Sequence, residues 1–507
     1  MKKTILINVL SLLFAFTGRS QQTLFDSIYY NNSSTLNEEV ESCFGITGEL
    51  NISYSCILGS NLFNGNRVTF LQKNDSIGST LIRYYYDNLT EATQNPTSSL
   101  ILNNKLIVVG THINNVVQDT GKMFIHILNQ SLNTISYNTY SFPWASGQFN
   151  NLITDKIYLY GTGFIAKNDG TYGDLFVAKF DTLGNLKWVN HFGQASRNET
   201  GITIQLIGND SLFIGGFSNE GANGSSGIAL LLDTAGTQHW MRYIDLPGKE
   251  NIFGGGFHHS DGGFAMVGSY YLPPNGESEL CFTKLNSSGT RVYDRFYSLG
   301  IKSEGTDYCF FDDKDSTIVA VGGNLNVPQY HEAALAVKYS LNGDTIWTRT
   351  YDKSYNRNGF IDHFYRGIAT NDGGYLFAGQ TTNGVIPGKT DAWLLKTDSI
   401  GCHPNYPCWP VSHVIGSSQQ QLLKTGVNFS IFPNPFTTNI CIKFKHVYQN
   451  NYCKLKLYNT MGQLIKEHVD YNLNLIVNLK TEEVEPGMYI LEIETLYATE
   501  RIKILKE

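Results

Sequence analysis

The sequence predicts an all-β chain: a seven-bladed β-propeller, with six or eight blades as the alternative counts, followed by a small C-terminal β-sandwich. Two ladders of residues recurring in phase every fifty-odd positions predict it, since a fixed period of that size marks a repeat architecture. Composition agrees: 507 residues hold 49 glycines, 30 tyrosines and 29 phenylalanines but only 16% charged residues, the balance of a turn-dense, aromatic-packed sheet protein.

The first ladder is a short apolar strand ending in glycine, as in Ile-Val-Val-Gly (107 to 110), Phe-Ala-Met-Val-Gly (264 to 268) and Tyr-Leu-Phe-Ala-Gly (375 to 379). Its glycines are Gly59, Gly110, Gly161, Gly215, Gly268, Gly322 and Gly379, at steps of 51, 51, 54, 53, 54 and 57. The second ladder runs Lys-Phe-Asp-Thr-Leu-Gly-Asn-Leu-Lys-Trp (179 to 188), with echoes ending at Trp240, Tyr293 and Trp347. Each aromatic sits four residues after its glycine, a position suited to wedging between neighbouring blades. The last copy, Lys396 to Gly401, stops at Cys402 without its aromatic, as an array does at its end. Asp-Gly-Gly at 261 to 263 and 372 to 374 and Leu-Gly-Asn at 183 to 185 supply the positive φ of tight hairpins. Four strands of roughly 5 residues with such turns fill a blade of about 40 to 50 residues, and no helical period longer than two turns competes. Residues from about 23 to 58 are expected to supply the strands that close the ring.

The N-terminus predicts an address. Met1-Lys2-Lys3, an apolar stretch from Ile5 to Phe16, and the small residues Gly18 and Ser20 before Gln21 make residues 1–20 a secretory signal peptide. The apolar run is too short for the alternative, a retained membrane anchor, and no further stretch predicts a transmembrane segment in the mature chain. The net charge of −7 has no basic footprint, which argues against nucleic acid as a partner.

Export makes the eight cysteines candidates for disulfides. Cys402 and Cys408 flank a short turn-rich loop and are the best pair, stapling the chain where it leaves the propeller. Cys43 and Cys56 are a second candidate pair. Cys281 and Cys309 either pair or stay as isolated apolar cysteines, and Cys441 and Cys453 face opposite ways and are not expected to bond.

The propeller is assigned to 21–408 and a polar linker, with Ser417-Ser418-Gln419-Gln420-Gln421, to 409–426. A compact segment fills 427–507, with strands at 429–432, 439–444, 453–458, 473–479, 488–493 and 501–505. Leu455 and Leu457 alternating with Lys454 and Lys456 give one buried face per sheet, hence a sandwich. Ile431-Phe432-Pro433-Asn434-Pro435-Phe436, Leu457-Tyr458-Asn459-Thr460-Met461-Gly462-Gln463-Leu464, Pro486-Gly487-Met488-Tyr489-Ile490-Leu491 and Arg501 to Lys506, with Lys503 among them, resemble the C-terminal sorting domain of the type IX (Por) secretion system of Bacteroidetes. The resemblance implies Sec export, capture by the outer-membrane translocon, and release or attachment at the cell surface. Pro433, Asn434 and Pro435 start the first strand stiffly, and Gly462 and Gly487 fall where hairpins turn.

The repeats also resemble propeller regions common in secreted Bacteroidetes proteins, through Asp372-Gly373-Gly374-Tyr375 and Asp391 to Asp398, a likeness of fold that carries no activity. Asp75-Ser76-Ile77, Asp181-Thr182-Leu183, Asp398-Ser399-Ile400 and similar turns are similar to the O-glycosylation signal of that bacterial group.

No catalytic, cofactor or metal residues are predicted. His258-His259 with Asp261 abuts a turn and is expected to be exposed, and Asp312-Asp313-Lys314-Asp315 reads as a solvated turn. Asn168 to Asp174 is loosely similar to a calcium loop but lacks its closing glutamate, so calcium is the one cofactor kept in view. No G-x-S-x-G, H-E-x-x-H or Cys-His metal spacing appears. The expected function is a secreted or surface-displayed binding protein for a glycan or protein ligand, with Tyr270, Tyr271 or Trp144 as candidate aromatics at the channel mouth, a core or blade-packing role being the favoured reading of each. The alternatives are a hydrolase of extracellular polysaccharide, or an enzyme similar to quinoprotein propellers, which share the Gly-x-x-x-Trp ladder but have eight blades.

Overall fold

Short β-branched and aromatic runs, each closed by a turn former, leave no room for a helix, and none is found among the described residues. In this computed structural model those residues are 24–29, 36–37, 43–49, 52–61, 67–86, 92–114, 122–140, 146–166, 173–221, 224–246, 250–272, 277–297, 303–326, 331–353, 360–382, 391–406, 429–432, 435–444, 453–459, 462–470, 476–495 and 499–506. The chain divides into two compact units, Met1–Tyr297 with Ile301–Ser418, and Ser298–Gly300 with Gln419–Glu507.

Seven four-stranded antiparallel blades make the first unit, each written from its innermost strand outward. Blade 1 is Cys43–Glu49, Ile52–Asn61, Arg67–Asn74 and Thr80–Tyr86, with the short strand Leu36–Asn37 added to its second strand. Blade 2 is Ala92–Leu102, Lys105–Asn114, Lys122–Asn129 and Thr134–Tyr140. Blade 3 is Ser146–Thr154, Tyr158–Ala166, Gly173–Asp181 and Leu186–Phe192. Blade 4 is Asn198–Ile207, Ser211–Gly221, Gly224–Asp233 and Gln238–Ile244. Blade 5 is Glu250–His258, Phe264–Leu272, Glu277–Leu285 and Arg291–Tyr297. Blade 6 is Ser303–Asp312, Thr317–Asn326, His331–Ser340 and Thr345–Tyr351. Blade 7 is Asp362–Ala369, Tyr375–Thr381, Asp391–Thr397 and, from the start of the chain, Phe25–Tyr29. The ring therefore closes as expected, by an N-terminal strand pairing with the last repeat, Ile28 opposite Trp393.

The glycine ladder has a geometric cause. In blades 2 to 7 the innermost strand carries a β-bulge, and a glycine of the second strand faces it: Gly110, Gly163, Gly216, Gly268, Gly322 and Gly379. A Cβ on any of these would lie between 1.8 and 2.2 Å from a carbonyl oxygen of the bulged strand. In blades 3 and 4 the position opposite the bulge is Gly163 and Gly216, where the sequence ladder counted Gly161 and Gly215.

The second ladder is the turn that follows the third strand, and in blades 1 to 6 it leads into the outermost strand. In every blade its first residue (Asp75, Asn129, Asp181, Asp233, Asn286, Ser340 or Asp398) accepts the backbone N–H groups two and four residues on. Three residues later the chain turns left-handed, at Gly78, Gly184, Gly236, Gly289, Gly343 and Gly401 and, in blade 2, at Leu132 with φ 59°. The ladder aromatic of the preceding blade lies against that turn: Trp188 on Gly236, Trp240 on Gly289 and Trp347 on Gly401. The wedge role expected of these aromatics is the one they have.

Core clusters fill the seams. Phe149, Phe176 and Phe180 join Val109, Ile125 and Ile127 between blades 2 and 3, and Phe364, Phe377 and Trp393 join Val319, Val321 and Trp347 between blades 6 and 7. At the closing seam Phe70 of blade 1 packs on Leu376, Ala378, Ala392 and Leu394 of blade 7; burying one such ring contributes about 1.5–3 kcal/mol. The N-terminal strand is pinned by Asp26, whose side chain is 3% exposed. Trp393 Nε1 donates to its Oδ1 at 2.8 Å, while the Tyr406 hydroxyl at 3.0 Å, Asn405 Nδ2 at 2.9 Å and the Lys353 ammonium share Oδ2. Burial raises the Asp26 carboxyl, but the bonds from Lys353, Asn405 and Trp393 outweigh it and hold the pKa below its ordinary 3.8.

The second unit packs the three-stranded sheet Phe429–Phe432, Asn439–Phe444 and Ile476–Lys480 against Leu464–Asp470, Cys453–Asn459, Gly487–Thr495 and Thr499–Lys506. Ile440, Ile442, Val477 and Leu479 meet Leu455, Leu457, Leu491, Ile493 and Ile504 between the sheets, so this is the expected sandwich. Leu464–Asp470 is a strand the sequence reading left out. It is an edge strand whose Leu464 and Ile465 are about half exposed, so no buried alternation marks it.

Two outcomes follow from the ring. Gly379→Ala places a methyl 1.8 Å from the His363 carbonyl oxygen and should cost about 1–3 kcal/mol in urea unfolding, whereas Gly305→Ala, with nothing within 4 Å, should stay within about 0.5 kcal/mol. Asp26→Asn should cost about 2–3 kcal/mol near neutral pH. A depressed folded-state pKa contributes stability that is complete above pH 3.8 and is lost as pH falls through the lower folded value, so the gap between wild type and variant should narrow in unfolding curves taken below pH 3.8.

Candidate functional site

The bulges decide what faces the axis of the ring. The residues just after them include Asn151 in blade 3, Tyr308 in blade 6 and Arg366 in blade 7. Asn151 Nδ2 donates to the Tyr308 hydroxyl at 3.2 Å, a bond between nearly opposite blades that crosses the channel. Arg366 lays its guanidinium over the Tyr308 ring, 4.3 Å from the centroid, and donates to the Tyr365 carbonyl at 3.0 Å.

Beside this crossing, three charged side chains meet at the seam of blades 6 and 7. His363 Nε2 is 2.6 Å from Asp307 Oδ2, and its Nδ1 bonds Glu332 Oε1. Asp307 is the extra residue of the blade 6 bulge and its side chain is 49% exposed, against 14% for His363 and 19% for Glu332. Tyr365, the extra residue of the blade 7 bulge, lies 4.6 Å from the His363 ring between centroids. Gly323 makes the space, since a Cβ there would strike Glu332 Oε1 at 1.7 Å. Burial lowers the His363 pKa, but the hydrogen bonds its ring donates to Asp307 and Glu332 reverse that and raise it to about 10. His363 is thus a fixed imidazolium at neutral pH.

Buried polar side chains elsewhere on the inner strands serve mainly as ties. Two residues before each bulge of blades 4 to 7 stand Glu199, Asn251, Glu304 and Asp362, all fully buried. Glu199 accepts the Gln194 N–H at 3.0 Å and the Tyr243 hydroxyl at 2.7 Å, Asn251 holds Ile244 and Leu246, and Asp362 accepts the Lys353 N–H at 2.7 Å. Glu199, Asn251 and Asp362 thereby anchor the connection from the previous blade. On the opposite rim, lysines of the second ladder do similar work: Lys284 bonds Asp261, Lys338 bonds Asp315, and Lys396 bonds Asp372.

The residues singled out in the sequence fall as follows. His259 is 8% exposed, not at the surface as expected: its Nδ1 is 2.8 Å from Asp261 Oδ1 and its Nε2 is 3.2 Å from Asn342 Oδ1 in the next blade. Asp312, read as part of a solvated turn, is 2% exposed and accepts the Tyr375 hydroxyl at 2.8 Å. Tyr270 is buried against Phe296, Tyr271 is 37% exposed, and Trp144 lies outside the described residues. Asn168 to Tyr172 also lies outside them, and Asp174 at their end pairs with His191 at 2.8 Å. Cys402 is disulfide-bonded, Cys408 lies outside the described residues, and Cys281, Cys309 and Cys441 are in no disulfide. The side chains of Cys43, Cys56 and Cys453 lie outside the description too.

The site at the channel mouth was not anticipated. Asp307, Glu332 and His363 share no motif, and 56 residues separate Asp307 from His363. Asp307 comes from the bulge of blade 6, Glu332 from the third strand of the same blade and His363 from the head of blade 7, so it is the packing of the two blades that brings them together.

In the sandwich, Pro433 and Asn434 lie outside the described residues, and Pro435 is exposed. Phe436 beside it is fully buried, with its N–H donated to the Leu505 carbonyl at 2.9 Å. Gly462 turns with φ 79°, Gly487 opens its strand, Tyr489 is 8% exposed with its hydroxyl on the Glu485 carbonyl at 2.7 Å, and Lys503 is exposed.

No curated protein matches the chain in sequence. Among solved structures it is similar to the polysaccharide lyase Uly1, at 8% identity and a TM-score of 0.47, over 74% of this chain and 92% of that one. It is also similar to the β-propeller domain of the Trilobed protease from Pyrococcus furiosus, at 8% identity and a TM-score of 0.36, over 73% and 98%. The hemagglutinin-neuraminidase ectodomain of parainfluenza virus 5 gives 6% identity and a TM-score of 0.35, over 74% and 85%. Likeness at this level assigns no activity to the chain. One family matches, described as the secretion system C-terminal sorting domain, and it covers residues 430–507, the sandwich just built. The chain is therefore a seven-bladed β-propeller carrying, at 430–507, a type IX secretion C-terminal sorting domain.

Proposed function

We propose that this protein is a binding module of the cell surface or the surrounding medium, and that its propeller takes a glycan or protein ligand at the channel mouth. The sorting domain indicates export to the cell surface or secretion through the type IX system. In this reading residues 1–20 are the Sec signal peptide, 21–408 the propeller and 409–426 a linker. Cys402 pairs with Cys408. Pro433, Asn434, Pro435, Gly462, Gly487, Tyr489 and Lys503 shape the segment that the translocon recognises.

One observation supports binding over catalysis. His363, the histidine at the mouth, has both ring nitrogens engaged by carboxylates and a pKa near 10, so it is poorly placed to take or return a proton during turnover. Fixed charges and an adjoining aromatic are recognition chemistry. The second reading, a hydrolase of extracellular polysaccharide, draws support from Asp391. Burial raises that carboxyl to about 6, in the range of a general acid.

In proton-detected spectra, the His363 ring should stay protonated through pH 8. Its pKa is raised above the unfolded value, so the stability it contributes is complete below pH 6.5 and is lost as pH climbs toward 10. A ring that titrates near 6.5 would remove the support for binding. For function, the purified full chain is screened on a glycan array and against culture-medium proteins, beside an activity screen on polysaccharides. Saturable retention without product is the expected outcome. Cleavage that Asp391→Asn abolishes would establish the hydrolase instead.

A further inference from the structure

Building on the binding-module reading, we propose that the channel mouth at blades 6 and 7 is a saccharide subsite that takes a single uncharged, hydroxyl-rich sugar ring, with Asp307 accepting its hydroxyls and Tyr365 covering its apolar face. The backbone supplies the first reason. An extra residue at a bulge drops out of the ladder and is aimed away from it, and along the ring these residues include Thr97, Ile202, Gly254, Asp307 and Tyr365. Among the bulges of blades 2 to 7, only those of blades 6 and 7 put a carboxylate and an aromatic at neighbouring positions.

Pre-organisation is the second reason. Asp307 is half exposed, yet its carboxylate is held through Oδ2 by His363, and His363 is held from its other nitrogen by Glu332. The Tyr365 ring lies beside the same imidazole at 4.6 Å. A ligand meeting these groups has little side-chain freedom left to quench. Charge selects the class: Asp307 and Glu332 are balanced by the His363 imidazolium and the Arg366 guanidinium, so neither an anionic nor a cationic ligand gains from the local field. Hydroxyls paired with a carboxylate, and C–H groups laid on an aromatic, need no net charge. Depth sets the size, because Tyr308, bonded across the channel to Asn151, floors the mouth.

The test titrates methyl glycosides of neutral hexoses, galacturonate and glucosamine into the full chain, followed by saturation-transfer NMR and calorimetry. A neutral glycoside should bind the wild type, and Asp307→Asn and Tyr365→Ala should each weaken it at least about tenfold. Tyr365→Phe should retain affinity, and Ile77→Ser on the opposite rim should change nothing. Unfolding midpoints are taken for every variant, so that a variant which fails to fold leaves the decision to the other. Absence of neutral-sugar binding, tighter binding of either charged sugar, or unchanged affinity in both variants overturns the inference. Retention of a protein ligand without any sugar also overturns it while leaving the binding-module reading intact. Polysaccharide cleavage undiminished in both variants overturns the two together.

Discussion

The fold depends on one repeated contact: an aromatic or hydrogen-bonding side chain of one blade's outermost strand seated on the left-handed hairpin of the next. Trp188, Trp240 and Trp347 cover Gly236, Gly289 and Gly401, while Asn190 bonds the Gly236 carbonyl at 2.8 Å and the Tyr351 hydroxyl bonds that of Gly401 at 2.7 Å. The turn glycine answers two demands at once, positive φ and absence of a Cβ beneath the ring. Gly78 of blade 1 meets the same demand from Phe25 of the N-terminal strand, so the seam that closes the ring copies the others. A β-sheet alone does not say how its neighbour should be rotated, and it is this contact, made blade after blade, that fixes the rotation.

The bulge glycines have a different consequence, which reaches the channel. Removing the Cβ opposite each bulge lets the innermost strand kink toward its partner, and the kink re-aims one residue per blade. At the bulges of blades 2 to 5 the extra residues are Thr97, Asn150, Ile202 and Gly254, none of them charged. The seam of blades 6 and 7 departs from this, and its imidazolium between two carboxylates would cost several kcal/mol to bury unpaired. That such a group sits beside a half-exposed aspartate is what separates it from the lysine ties of the opposite rim, where Lys284, Lys338 and Lys396 hold turn aspartates of their own blades.

Much of the fold was legible because each repeat restates the same steric demands. Seven repeats, the wedge aromatics, the closing N-terminal strand and the two faces of the sandwich were all readable from spacing and alternation. Register was less so: Gly161 and Gly163, or Gly215 and Gly216, are equivalent to a count of apolar runs but not to a bulge, which shifts pairing by one. Burial of His259 and Asp312 was misread for a related reason. Turn residues look solvated in one repeat and are covered by the next, as the reach of His259 to Asn342 shows. The mouth cluster was invisible, since Glu332 lies in a third strand, Asp307 at a bulge and His363 at the head of the following blade, and no local pattern links them.

Closure also constrains the order of folding. The Asp26 carboxylate meets Trp393 across 367 positions and Tyr406 across 380, among the longest sequence separations in the molecule. Contacts this distant form late, because the loop they close costs entropy before any bond repays it. The first six blades each complete themselves from contiguous strands, whereas the seventh waits for the start of the chain. The residues that receive that strand, Trp393, Asn405 and Tyr406, are among the last of the propeller and precede the sorting domain in sequence. By the time the sorting domain at 430–507 has been made or exported, every strand the ring needs is already available, and the burial of Asp26 among its donors favours the closed ring.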